Sequence, residues 1–227
     1  MKKAFTMLEL VFVIVVVGIL SYFAASGFQR NPLREAADQV VSHIRYTQHL
    51  AMQDDTFDPN DSSWYKRRWQ LLFSLTANNT ISYSILSDTP SATNQYQGSP
   101  KADNTYTNVS VARNPLNTNL YLIGTSYSTF DNSSEERLTI ELDIKKKYSV
   151  QSVNLSNSCK LSGSTRIAFD YLGRPLKGTF HNFTSPYPAA DRLISQDCNI
   201  TLANGNQNVT ITIKPETGYT YISSQNY

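Results

Sequence analysis

Apolar and polar positions change period three times along the 227 residues. From Met7 to Ala25 the chain is apolar except for Glu9 and Ser21, with no amphipathic stripe. A helix that is hydrophobic on every face belongs in a bilayer or a wholly apolar surrounding. Leu10 to Phe28, about 19 residues, is near the length that spans a membrane. Asn31-Pro32 then marks either a kink or a fresh start with Asn31 as N-cap and Pro32 at the first helical position. Beyond it Leu33, Ala36, Ala37, Val40, Val41, Ile44 and Ala51 recur at the three-four spacing of one helix face. A face with so many alanines needs a sheet to lie against. This amphipathic helix should end between Met52 and Asp55, where Asp54-Asp55 and Phe57-Asp58-Pro59-Asn60 break the pattern.

The remainder alternates as strands do. Expected strands are Trp64 to Phe73, Thr80 to Leu86, Leu120 to Thr125, Leu138 to Ile144, Arg166 to Phe169, Val209 to Ile213 and Tyr219 to Ile222. Ala77-Asn78-Asn79 is a hairpin turn between the first two, and Ser87 to Pro115 reads as a long exposed loop with room for one short strand. No fixed period repeats, which argues against a solenoid.

Composition sharpens the picture at three points. Charged residues are only 17% and tyrosines number 14, which suits strands with polar outer faces better than a helical bundle. The net charge is +2, and without Lys2 and Lys3 the basic and acidic side chains balance. No global basic excess therefore points to nucleic acid. Both cysteines, Cys159 and Cys198, lie beyond the apolar segment. Lys2 and Lys3 hold the N-terminus on the cytoplasmic side, which puts both in an oxidising periplasm. A disulfide is expected over two free thiols or a metal pair.

The candidate chemistry is concentrated at the N-terminus. Glu9 sits about one helical turn into hydrocarbon, where a charged side chain costs roughly 2.5–3.5 kcal/mol on insertion scales. If the chain is cut between Ala4 and Phe5, the new α-amino group lies four residues from Glu9, within reach of one turn. Two lysines, a small residue at Ala4, an aromatic at Phe5 and an acid at Glu9 closely resemble the class III signal of type IV pilins and type II secretion pseudopilins. An ordinary signal peptide cut near Ala24 or Ala25 and an uncleaved signal anchor are the alternatives. Neither gives Glu9 a role.

Weaker patches extend the resemblance to GspH/FimT-type minor pseudopilins. Arg166 to Pro175 resembles their strand and Gly-Arg-Pro turn, and Val209 to Gly218 their closing strand and Thr-Gly turn. Ile44 to Ala51 resembles the helix end before a Trp-containing strand. The resemblance implies an α+β, type IV pilin-like fold: a long N-terminal helix, transmembrane in its first half, packed on an antiparallel β-sheet head. The divisions would be a leader 1–4, a membrane or filament-core helix 5–30, an amphipathic half 31–55 and a periplasmic head 56–227. Processing would fall at Ala4 and Phe5, and assembly would use Phe5 and Glu9. The implied partners are prepilin peptidase, other pilin or pseudopilin subunits, the inner membrane and an assembly platform. The implied location is the bacterial inner membrane, with a cytoplasmic N-terminus and a periplasmic head, and then the pilus or pseudopilus.

No enzyme motif, cofactor or metal site is read from the sequence: there is no G-x-S-x-G, phosphate loop or H-E-x-x-H. His43, His49 and His181 are expected in solvated or capping roles. Asp54, Asp55, Asp58 and Asp61 form an acidic loop without EF-hand spacing, read as solvated. Lys66, Arg67 and Arg68 between Trp64 and Trp69 could bind phosphates and stack bases, and Lys145-Lys146-Lys147 suits a hairpin end. Nucleic acid is nevertheless not the expected partner, because the C-terminal Gly218-Tyr219-Thr220-Tyr221 lacks the basic residues of DNA-uptake pilins. The two rival functions are a DNA-binding minor pilin and a membrane-anchored periplasmic binding module that never assembles.

Overall fold

The computed structural model describes residues 6–27, 31–75, 80–88, 111–124, 138–187 and 191–226. The protein is α+β with antiparallel sheets, and it divides into two compact units, Met1–Pro32 and Leu33–Tyr227.

The first unit holds helix α1, Met7–Gly27. Every side chain described in it, from Met7 to Phe23, is solvent-exposed within this chain. Among the described residues no helix is long and apolar enough to cross a membrane, the described side chains of α1 stopping at Phe23.

Helix α2, Pro32–Gln53, begins at the boundary, and from Leu33 on it belongs to the second unit. A fresh start at Pro32 is what its fixed φ and missing N–H favour, since that N–H would have no helical partner anyway. All seven apolar positions expected on the inner face are buried, and Thr47 joins them. Thr47 is tolerated there because its hydroxyl donates to the His43 carbonyl oxygen at 2.7 Å.

Two four-stranded sheets share one apolar core with α2. The first is ordered β2-β1-β6-β7 and comprises β1 (Trp69–Leu75), β2 (Ile81–Ser87), β6 (Arg166–Phe169) and β7 (Pro175–Lys177). The second is ordered β10-β9-β8-β5 and comprises β5 (Ser152–Leu155), β8 (Cys198–Asn204), β9 (Gln207–Ile213) and β10 (Thr220–Asn226). A small hairpin, β3 (Arg113–Asn114) with β4 (Asn117–Tyr121), forms its own two-stranded ladder, and its flanks bond to β2, Ile85 N–H donating to the Leu122 carbonyl at 2.9 Å and Ala112 N–H to the Ile85 carbonyl at 3.0 Å. Leu71 and Phe73 of β1, Tyr83 and Ile85 of β2, and Ile200, Leu202, Val209, Ile211 and Ile213 all face this core. Their period of two follows from strand geometry. Behind the first sheet, Ala168 and Leu176 pack with Phe180 and Phe183 in a second cluster.

A disulfide joins Cys159 to Cys198, as expected, across 39 positions of sequence. It ties the turn after β5 to the first residue of β8.

Three expectations fail locally. The segment at Trp64 is a 3-10 turn, Trp64–Lys66, and the strand begins only at Trp69. Asp61 winds the chain here, its Oδ1 accepting from Ser63 N–H at 2.8 Å and its carbonyl from Trp64 N–H. Leu138 to Ile144 is no strand: a 3-10 turn, Ile140–Leu142, leads into α3, Ile144–Tyr148. Asp143 caps α3 by accepting from Lys146 N–H at 3.1 Å, so the three lysines ride a short helix instead of a hairpin end. The Ala77-Asn78-Asn79 turn and most of the Ser87 to Pro115 loop lie outside the described residues.

Candidate functional site

The processing residues Ala4 and Phe5 lie outside the described residues. Glu9 is in the first turn of α1, and its local partner is Thr6. Thr6 donates to Glu9 Oε2 from its N–H at 3.1 Å and from its hydroxyl at 3.0 Å, while Glu9 N–H donates back to Thr6 Oγ1 at 3.3 Å. This is a capping box, satisfying two of the helix's free N–H groups. The T-x-x-E spacing before an apolar run was legible in the sequence and gives Glu9 a local role that charge pairing alone overlooks.

In the second unit, the weak sequence patches meet at one helix residue. Gln48 Nε2 donates to the Gly173 and Thr217 carbonyls, each at 2.8 Å, clasping the turn after β6 and the turn after β9 together. Gly218 has φ +65°, and a Cβ there would lie 2.6 Å from the Gly173 carbonyl. Arg45 adds a fork to the Thr220 carbonyl, from Nη2 at 2.7 Å and Nε at 3.1 Å. The three patches are thus the place where α2 is fastened to both sheets.

A polar network anchors the same helix nearer its N-terminus, at Gln39 and His43. Gln39 Nε2 donates to Tyr83 Oη at 2.8 Å and to the Glu141 carbonyl at 2.9 Å, and Tyr148 donates to Gln39 Oε1 at 2.6 Å. Tyr83 Oη and His43 Nδ1 are 2.6 Å apart. With Gln39 donating to it, Tyr83 is placed to donate to a neutral His43. Burial pushes the His43 pKa down from 6.5 to about 4. His43 therefore departs from the solvated role read from sequence, whereas His49 is exposed.

The basic-aromatic cluster folds into a pocket of about 310 Å³. Antiparallel pairing of Gln70 with Ala168 sets the end of β6 beside Trp69. Trp64, Arg67, Arg68 and Trp69 thereby meet Asp170, Tyr171 and Arg174, with Tyr187 on the rim. Trp69 is buried and donates from Nε1 to Asp54 Oδ2 at 2.8 Å, so it offers no open stacking face. Lys66 does not line the pocket. Arg68 is only 9% exposed; its Nη2 donates to the Pro186 carbonyl at 3.1 Å, and its guanidinium lies 5.4 Å from the Phe183 ring centre. Burial pushes the Arg68 pKa down; the Asp170 charge opposes this and the Arg174 charge reinforces it. The acidic loop is occupied with its own backbone: Asp55, Asp58 and Asp61 each accept from an N–H two residues on.

No family model matches the chain, and no curated protein or solved structure matches it either.

Proposed function

We propose that this chain is a structural, non-enzymatic minor pseudopilin or minor pilin subunit of a type II secretion or type IV pilus machine, with a type IV pilin-like fold. The observation that carries the reading is α1: an unbroken apolar surface from Leu10 to Leu20, exposed on all sides within the chain. Such a surface needs lipid or other subunits to cover it. In the sequence the apolar run continues to Phe28, about 19 residues from Leu10 and near the length that spans a membrane. Glu9 is the one charged residue of α1. In the inner membrane lipid covers the helix; in a filament, copies of the same helix do. Glu9 then pairs with the freed amine of Phe5 on a neighbouring subunit, because a subunit out of register leaves a buried charge unpaired.

The test is the intact mass and N-terminal sequence of the protein purified from native membranes. A chain that starts at methylated Phe5 is expected. A chain that starts at Met1 or near Ala25 would overturn the reading.

A further inference from the structure

We propose that the pocket between the end of α2, β1 and the turn after β6 is a binding site for a single peptide carboxylate, either a free C-terminus or an acidic side chain. The inference stands independently of the assembly reading.

The donors come first. Arg67 Nε and Arg68 Nε are buried and have no hydrogen-bond partner among the described residues, although both side chains line the pocket. A buried guanidinium left partly unsatisfied is costly, and an incoming anion removes that cost. Neither arginine has a salt bridge among the described residues. The nearby carboxylates are already engaged: Asp54 accepts from Trp69 Nε1, and Asp170 accepts from Arg174 Nε at 2.7 Å and from the Leu172 and Arg174 N–H groups.

Charge then selects the ligand. Arg67, Arg68 and Arg174 face Asp54 and Asp170 in the lining, a surplus of one positive charge that one carboxylate neutralises. A phosphate dianion would overshoot it. A polyphosphate backbone would also meet the Asp54 and Asp170 carboxylates in the lining, and nucleic-acid grooves carry extended positive charge instead. Planar guanidinium N–H groups also match the planar carboxylate. Around this polar floor the rim is aromatic: Tyr171 is 68% exposed and Tyr187 80%, with Trp64 beside them. Aromatic side chains at an open rim supply contact area for the peptide that carries the carboxylate.

The protein carries its own probe, since its two tryptophans, Trp64 and Trp69, both line the pocket. The experiment is a tryptophan fluorescence titration of the full chain in neutral detergent micelles with three peptides. Acetyl-Ala-Phe has a free C-terminus, acetyl-Ala-Glu-amide has only a side-chain carboxylate, and acetyl-Ala-Phe-amide has neither. At least one carboxylate peptide should give a saturable change that the neutral amide does not, and the tighter of the two identifies the source. Arg67→Gln should weaken that binding roughly tenfold or more with the near-UV spectrum preserved, and Arg68→Gln should do likewise where it folds. Equal response to the neutral amide, no response at millimolar peptide, or tighter binding of oligothymidylate than of either carboxylate peptide would each overturn the proposal. So would unchanged binding by Arg67→Gln.

Discussion

His43 makes the second unit sensitive to acid in a way that can be measured site by site. Its folded pKa lies near 4 against 6.5 for a free histidine, with burial as the cause. Between these two values the unfolded chain binds a proton at His43 and the folded chain does not. Stability from this group is therefore fully present above about pH 6.5 and is lost as the pH falls toward 4. The difference of about 2.5 units corresponds to roughly 3 kcal/mol. The hydrogen bonds agree with that sign. Tyr83 Oη already accepts a hydrogen bond from Gln39 Nε2, so a protonated His43 would turn an accepting Nδ1 into a second donor aimed at the same oxygen. Of the acidic side chains on the facing segment, Glu141 lies 3.9 Å from Lys147, both partly exposed, and Asp143 is taken up capping α3.

The chain has three histidines, so proton NMR can follow each imidazole separately. His43 should remain neutral to about pH 4. Thermal melts of wild type and His43→Gln in detergent should converge as the pH falls from 7 to 4, because glutamine keeps an acceptor but carries no titrating charge. A His43 titration near 6.5, or melting curves whose separation does not change with pH, would refute the reasoning.

Other outcomes follow from single contacts. Reducing Cys159–Cys198 should cost roughly 4 kcal/mol by loop entropy, read as a lower urea midpoint; an unchanged midpoint would show that the bridge adds nothing. Gly218→Ala should destabilise by more than about 2 kcal/mol, since it adds left-handed strain to a close contact with the Gly173 carbonyl; a melting temperature equal to wild type would refute the clasp. Gln48→Ala, which leaves the Gly173 and Thr217 carbonyls without their donor, should cost about 1–3 kcal/mol in the same melt. Glu9→Gln should keep the α1 cap, because glutamine serves a capping box, yet lose incorporation into filaments; normal incorporation would reduce Glu9 to its cap.

The inner face of α2 could be read in full because burial on one helix side leaves a 3-4 pattern that local sequence carries. β6 was legible at both ends from the apolar run Ile167-Ala168-Phe169, and β9 within two residues from the alternation of Val209, Ile211 and Ile213. β8 was missed although Cys198, Ile200 and Leu202 alternate, since Asn199, Thr201 and Asn204 make the segment look like a polar loop. The error at Ile140–Tyr148 has the opposite cause: I-E-L-D-I mimics a strand, and the cap supplied by Asp143 decides for helix. For the pocket, sequence showed Trp64, Arg67, Arg68 and Trp69 together but not their floor and rim. Those depend on the pairing of β1 with β6 about a hundred residues later, a register that no local pattern encodes.

Glu9 joins the two levels of the reading. A carboxylate in an apolar helix invites a search for one opposite charge, and the capping box shows that hydrogen bonds from Thr6 already hold it. The two roles are compatible, because both hydrogen bonds that Thr6 donates fall on Oε2, and carboxylate oxygens accept more than one donor. The box also turns the carboxylate toward the start of the helix, and Thr6 directly follows Phe5 in sequence. An amine arriving at that end would meet an acceptor already oriented and already stripped of part of its side-chain freedom. In the proposed assembly the cap would lower the entropic cost of the Glu9–amine ion pair, so one residue would serve first the helix and then the filament.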